Sequence, residues 1–369
     1  MLNDLSARTF GNTDLQIGAI GLGTWVLGGT WTATEGSHYL PGTALGYGPQ
    51  SDEDSRAVID AALDHGVRLI DTANLYGAGH AERLLGETLK GRRDQAFIAT
   101  RFGHTYDPDN KTFAGIDTSP NSIRSSLEMT LRNLQTEYVD IFQLQVEFHT
   151  LNRIDAIFDV VDRLIEEGKV RYTGWSTNYP ARLQSIVGRD SVQSAQFDLN
   201  VFQDSPDMLE VCEAANLTAI ARSPLAMGFL TGKFTAGTSL SPDDVRASRV
   251  SSNEARLRGE TNQNRFWLRF FENGGAGNSD WIDRLSEIKT VLTEDGKTSL
   301  AQGALRWIFA RYPKTVVIPG ARTVDQFKEN FGAVEHGPLS ETDMAEIENI
   351  LRRDDYPADL YLRPHRPAA

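Results

Sequence analysis

The chain has 369 residues, a formal net charge of −13 and a single cysteine, Cys212. A chain of this length can bury a large core without covalent staples, and one cysteine excludes an internal disulfide framework and a thiolate metal cluster. The acidic balance argues against a nucleic-acid partner, which would need a broad cationic face to displace phosphate counterions. The opening MLNDLSARTFGNTDLQIG has no basic stretch followed by an apolar one, and no apolar run is long enough to cross a bilayer. A cytoplasmic location is the expectation.

In chain order, IGAIGLGT (Ile17–Thr24) reads as a first strand. A stretch rich in Gly, Thr and aromatics over 28–50 separates it from a helix, Ser51–His65, whose acidic first turn suits the helix dipole and which stops before Gly66. Strand Val67–Ala73 follows, then helix Ala81–Lys90, then strand Ala96–Arg101. An insertion over 103–118 precedes helix Ser119–Leu134, which opens on Ser-Pro, and strand Tyr138–Gln145. Helix Asp155–Glu167, strands Tyr172–Ser176 and Val192–Phe197, helix Pro206–Ala215 and strand Leu217–Leu225 continue the alternation. The longest insertion, 231–279, comes next. Helix Leu300–Arg311, strand Thr315–Gly320 and helix Val324–Ala333 follow, and a Pro-rich segment over 357–369 reads as an extended tail.

The strand runs are apolar without strict alternation, as parallel strands buried on both faces are. Eight of them alternating with helices predict an α/β fold, a (β/α)8 TIM barrel, occupying 1–369 as one domain; a doubly wound open sheet is the runner-up. The insertions 28–50, 103–118 and 231–279 all follow strands. In a barrel they fall on the C-terminal face and are read as lids over an active site rather than decoration.

Four polar residues sit where such a face would gather them. Asp71 ends an apolar strand, and Tyr76 follows in the loop LYGAGH; a phenol there can act as a general acid if its neighbours bring its pKa towards working pH. Arg101 ends the next strand, where it can pair with Asp71 and bias Tyr76 towards the phenolate. Gln145 ends YVDIFQLQ and can donate to a carbonyl oxygen. Taken singly, these are equally well a capping Asp, a surface Tyr, a loop-bridging Arg and an unremarkable Gln; their recurrence at one kind of position gives them weight. No His pair has metal spacing, and GAIGLG is not a Rossmann fingerprint, so no metal is expected.

The run IDTANLYGAGHAERLLGETLKG resembles the signature of the aldo-keto reductase superfamily, in which an Asp and a Tyr at this spacing belong to a catalytic tetrad. FIATRFG resembles the strand that supplies the tetrad's Lys, and TEYVDIFQLQ the strand that supplies its His. KVRYTGWSTN, SPLAMGFLTGKF and VVIPGARTVDQFKENFGAV resemble the cofactor-binding segments in the same order. The resemblance implies a catalytic set of Asp71, Tyr76, Arg101 in place of Lys, and Gln145 in place of His. Arg101 keeps a fixed positive charge but is larger and forked, whereas Gln145 cannot titrate and ends any proton relay through that position. His149, four residues on, falls in the loop.

By the same resemblance, Ser176, Asn178 and Gln196 would hold a nicotinamide carboxamide, with Thr24, Trp25 and Asp71 at the same end. Arg222 stands where relatives place an aromatic under the ring, and Ser223, Pro224, Leu225, Gly228 and Lys233 would line the pyrophosphate. Gly320 turns the chain into a helix whose N-terminus faces an anion, with Arg322, Gln326 and Asn330 suited to a ribose 2′-phosphate. The cofactor expected is therefore NADP rather than NAD, and the partner a small-molecule carbonyl or alcohol, such as a sugar or a secondary metabolite. Reduction of an activated C=C bond, a low-turnover regulatory protein that keeps its cofactor, and a non-redox lyase or epimerase are the alternatives, since fold alone does not choose among them.

Overall fold

The computed structural model describes residues 7–34, 37, 39, 41–147, 149–247 and 269–351. An antiparallel hairpin of β1 (Ala7–Thr9) and β2 (Gln16–Gly18) precedes the main sheet. The sheet itself contains β3 (Leu22–Gly23), β5 (Leu69–Asp71), β6 (Phe97–Phe102), β9 (Val139–Leu144), β10 (Val170–Ser176), β11 (Val192–Asp198), β12 (Thr218–Arg222) and β13 (Val316–Val317). All eight run parallel in that order, and parallel bridges Ile20↔Val317 and Gly23↔Gly320 join the last strand to the first. The closed (β/α)8 barrel is the architecture, and the open sheet is excluded.

The helices lie outside the strands. They are α1 (Asp52–Asp64), α2 (His80–Thr88), α3 (Pro120–Leu134), α4 (Ile154–Glu166), the short α5 (Pro180–Gln184), α6 (Pro206–Ala214), α7 (Ser279–Leu292), α8 (Leu300–Arg311), α9 (Val324–His336) and α10 (Glu341–Leu351). Their starts have local causes. Ser51 and Ser119 each accept a backbone N–H as N-caps, Pro120 fills the first position of α3, and Ser299 with Gln302 forms a reciprocal capping box on α8. Among the described residues, no helix is long and apolar enough to cross a membrane.

Side-chain alternation along the strands divides the barrel into layers. Ile70, Ile98, Phe142, Trp175 and Phe197 point outward into the helix-packed core. Leu69, Phe97, Ala99, Ile141, Ile220, Val316 and Ile318 point inward and fill the lower barrel, which Phe10 and Ile17 of the hairpin plug from beneath. The expected strand Ile17–Thr24 is therefore divided: its start pairs with the hairpin, and only Leu22–Gly23 joins the barrel ladder.

The first two insertions are built structures. Strands β4 (Thr32–Ala33), β7 (His104–Asp107) and β8 (Thr112–Ile116) form a second sheet across them. Beneath it lies a separate apolar cluster of Trp31, Ala33, Leu45, Leu75, Tyr76 and Phe113. Of the third insertion, 248–268 lies outside the described residues, as does the 357–369 tail.

Candidate functional site

Above the apolar layers, the inward positions of the barrel become polar. Asp71 of β5, Arg101 of β6, Gln143 of β9, Ser194 and Gln196 of β11, and Arg222 of β12 continue the inward faces one step towards the C-terminal mouth. A cavity of about 1080 Å³ opens over them. Its lining includes Asp71, Tyr76, Arg101, Gln145, Gln196, Arg222 and Arg322.

Arg101 is the hub. Its guanidinium donates to the Tyr76 hydroxyl, to Asp71 Oδ1 and, at 2.6 Å, to Gln196 Oε1. Gln196 returns an N–H to Asp71 Oδ2 at 2.8 Å and reaches Gln143 Oε1 at 3.3 Å, while Gln143 donates to Ser194 at 3.2 Å. Asp71, Arg101 and Gln196 are almost fully buried. Desolvation opposes the charge on Arg101, but Asp71 and Tyr76 hold its pKa above the ordinary value. Burial pushes the Asp71 carboxyl up, with Arg101 and Gln196 pulling it back.

Tyr76 differs from expectation. Burial pushes its phenol above the usual value, and Arg101, which pulls the other way, does not outweigh that. The group rests as a neutral phenol. Its ring stacks on Trp25, with centroids 5.9 Å apart and planes at 10°. Its loop is pinned by the turn Trp25–Gly28: a Cβ on Gly77, whose φ is +61°, would stand 2.0 Å from the Gly28 carbonyl oxygen.

Gln145 lies one residue past the end of β9, where its backbone N–H donates to Phe102 O at 3.0 Å. Its side chain lines the cavity, and its Oε1 is buried without a hydrogen-bond partner among the described residues. Gln143, two residues earlier on the same face, and its partner Ser194 are the members of the hydrogen-bonded network that sequence reasoning missed. His149 bonds Thr118 Oγ1 at 2.9 Å and is not part of the lining.

Arg222 is not a free guanidinium. Its Nε and one terminal nitrogen each lie 3.1 Å from a different oxygen of Asp198, and it also donates to Ser176 Oγ at 3.0 Å and to Glu147 Oε1 at 3.1 Å. Desolvation works against this charge, but Asp198 and Glu147 raise the Arg222 pKa. Asn178 spends its amide on Asp198, at 2.8 Å to Oδ2 and 2.8 Å from the Asp198 backbone N–H. Thr24 donates its hydroxyl to Asp71 O at 3.0 Å. Thr24, Ser176 and Asn178 are not part of the cavity lining; they support the residues that are. Neither Asp198 nor Glu147 was singled out in the sequence.

At the far end the lining mixes cations with the carboxylates Asp54 and Glu329. The chain leaves β12 through a left-handed run at Ser223 (φ 50°), Ala226 (φ 47°), Met227 (φ 57°) and Gly228 (φ 89°), which turns Leu225, Pro224 and Gly228 onto the cavity. Lys233, Arg246 and Arg322 gather beyond it. Burial, then Arg246 and Arg322, push the Lys233 ammonium below its ordinary value, the mark of cations crowded together. Arg246 is paired with Asp244 at 2.5 Å. Arg322 bonds neutral oxygens instead: Gln50 Oε1 at 2.8 Å, Tyr47 O at 3.2 Å and Pro49 O. The N-terminus of α9 opens on the same space, with Gly320, Gln326 and Asn330 in the lining. Cations crowded at a helix N-terminus suit phosphates. Among the described residues, no group of His, Cys, Asp and Glu could hold a metal.

The family model described as Aldo/keto reductase family matches residues 19–352. The chain is 28% identical over 308 residues to an NADP(+) aldo-keto reductase of Schizosaccharomyces pombe, covering 82% of this chain and 83% of that protein. It is 27% identical over 359 residues to an L-glyceraldehyde 3-phosphate reductase of Escherichia coli O157:H7, covering 93% and 92%. Among solved structures, a glycerol dehydrogenase from Gluconobacter oxydans superposes with a TM-score of 0.72 at 25% identity, covering 99% of this chain and all of that one (100%).

Proposed function

The chain belongs to the aldo/keto reductase family and is an oxidoreductase, and from that premise we propose that it is NADP-dependent, interconverts a carbonyl and an alcohol, and uses Tyr76 as its proton-handling group. The observation that carries the reading is a neutral, buried phenol, hydrogen-bonded to Arg101, at one end of a cavity whose other end crowds Lys233, Arg246 and Arg322 around a helix N-terminus. That end is the fit for a dinucleotide, with Lys233 and the left-handed run after β12 on the pyrophosphate, and Arg322, Gln326 and Asn330 on the 2′-phosphate. Bound NADPH would supply the hydride, and NADP⁺ would accept it in the reverse direction.

The chain's own residues handle the oxygen and its proton. In reduction Tyr76 gives its hydroxyl proton to the carbonyl oxygen as that oxygen gains negative charge, and the adjacent guanidinium of Arg101 stabilises the phenolate left behind. Asp71 keeps Arg101 charged and fixes its orientation. Gln145 presents an amide to the substrate oxygen and passes no proton onward. A preference for NADP over NAD rests on Arg322 and is in keeping with the NADP(+) in the name of the Schizosaccharomyces pombe relative.

Titration with NADPH and NADH, followed by fluorescence, tests the cofactor. Single-turnover oxidation of bound NADPH by a panel of aldehydes, ketones and enones tests the reaction. Tyr76→Phe is expected to lower carbonyl reduction by about a hundredfold or more while leaving NADPH affinity intact. Undiminished turnover would remove Tyr76 from the chemistry.

A further inference from the structure

The charges around the Tyr76 end of the cavity do not cancel. Asp71 is matched by Arg101, and Asp198 holds Arg222 through two contacts of 3.1 Å that already complete a forked pair. Glu147 is a further carboxylate on the same wall. Its Oε1 pairs with Arg222 at 3.1 Å and accepts the Asn178 backbone N–H at 3.1 Å; among the described residues Arg222, already held by Asp198, is the one cation in an ion pair with it. Its side chain is 25% exposed and lines the cavity two residues beyond Gln145. Among the described residues lining the Tyr76 end, the carboxylates Asp71, Asp198 and Glu147 outnumber the guanidiniums Arg101 and Arg222 by one.

We propose that Glu147 sets the redox preference of the bound cofactor, favouring the oxidised nicotinamide and so lowering the potential of the bound couple, which makes bound NADPH the stronger hydride donor and poises the protein towards carbonyl reduction. The inference rests on the NADP reading above. Oxidised and reduced forms carry the same phosphates, so Lys233, Arg246 and Arg322 cannot tell them apart. They differ in the ring, which is a cation when oxidised and neutral when reduced. A ring close enough to exchange hydride with a carbon whose oxygen Tyr76 protonates must lie beside this wall. A fixed negative charge in a partly desolvated cavity then stabilises one form and leaves the other nearly untouched.

The test is isothermal titration calorimetry of NADP⁺ and of NADPH against the wild-type protein, Glu147→Gln and Glu147→Asp, with thermal melts to establish folding. Glu147→Gln keeps the shape and both hydrogen bonds while removing the charge. It is expected to weaken NADP⁺ relative to NADPH by about tenfold. For a two-electron couple that raises the potential of the bound cofactor by about 30 mV. Glu147→Asp keeps the charge and is expected to keep the wild-type ratio to within about threefold. Equal weakening of both forms by Glu147→Gln would overturn the inference alone and make Glu147 a strut for Arg222 and Asn178. Failure of the wild-type protein to bind either form would overturn the NADP reading and this inference with it.

Discussion

Replacing Arg101 by Met tests the hub of the site through stability, independently of any cofactor. Arg101 is 3% exposed, Asp71 2% and Gln196 0%, so water cannot take over the lost contacts. The substitution strands Asp71 with only the Gln196 N–H at 2.8 Å as a side-chain donor. Breaking a buried pair from one side costs about 3–5 kcal/mol, and the Tyr76 hydroxyl and Gln196 Oε1 each lose a donor worth about 1 kcal/mol. A loss of about 5–7 kcal/mol is expected, against total stabilities of about 5–15 kcal/mol for folded domains. Adding Asp71→Asn removes the stranded charge, so the double variant should be more stable than Arg101→Met alone. The pH response has a definite sign. In Arg101→Met the folded-state pKa of Asp71, already raised by burial, rises further above its unfolded value of about 3.9. Such a group favours the folded state most below the unfolded pKa and progressively less as pH rises through the folded one. The single variant should therefore recover stability on acidification from neutral pH, and the double variant should not. Urea unfolding followed by tryptophan fluorescence at pH 7 and pH 5.5 measures both. A loss under about 1 kcal/mol for Arg101→Met, or a double variant no firmer than the single, would refute the desolvated pair.

Arg322→Gln should lower the preference for NADP over NAD by about tenfold, since a charge-assisted contact to a 2′-phosphate is lost while the diphosphate contacts stay. Matched titrations of the two cofactors check it, and an unchanged ratio would take Arg322 off that phosphate. Gly77→Ala puts a Cβ 2.0 Å from the Gly28 oxygen at a φ of +61°, so a destabilisation of at least about 2 kcal/mol and a fall in turnover through a displaced Tyr76 are expected. An unshifted melting point would contradict the tight crossing. Glu82 is fully buried on neutral donors, Thr100 Oγ1 and Thr130 Oγ1 at 2.9 Å and Asn133 Nδ2 at 3.1 Å, and burial raises its pKa. Its contribution to stability is greatest in acid and fades as pH rises through the folded value. Glu82→Gln should therefore gain on the wild type between pH 5 and pH 8, and parallel curves would show that the carboxyl is not desolvated.

The barrel was legible because its evidence is local. Each buried parallel strand is a short apolar run, and each helix start carries its own Ser, Pro or acidic signal, as at Ser51 and Ser119. The small sheet over the mouth was not legible. Thr32–Ala33 pairs with Thr112–Ile116 across about eighty residues, and two- to five-residue strands have too short a period to register. The hairpin below the barrel was absorbed into the first strand for the same reason: Ile17 is apolar whether it lies in the ladder or plugs the floor.

In the candidate site, types of residue were legible and pairings were not. Matching motifs by position selects Gln145, just past the end of β9, and passes over Gln143 within it. Alternation along a strand could have found it, because residues two apart share a face, and in register Gln143 lies opposite Arg101. The charge pairings of the site were not legible either. A sequence shows that Arg222 is a cation and invites the inference that a positive charge sits beside the ring. Charge at a site belongs to the cluster, and the partners come from far along the chain, Glu147 from the loop after β9 and Asp198 from β11. Those contacts set two carboxylates against the one guanidinium of Arg222.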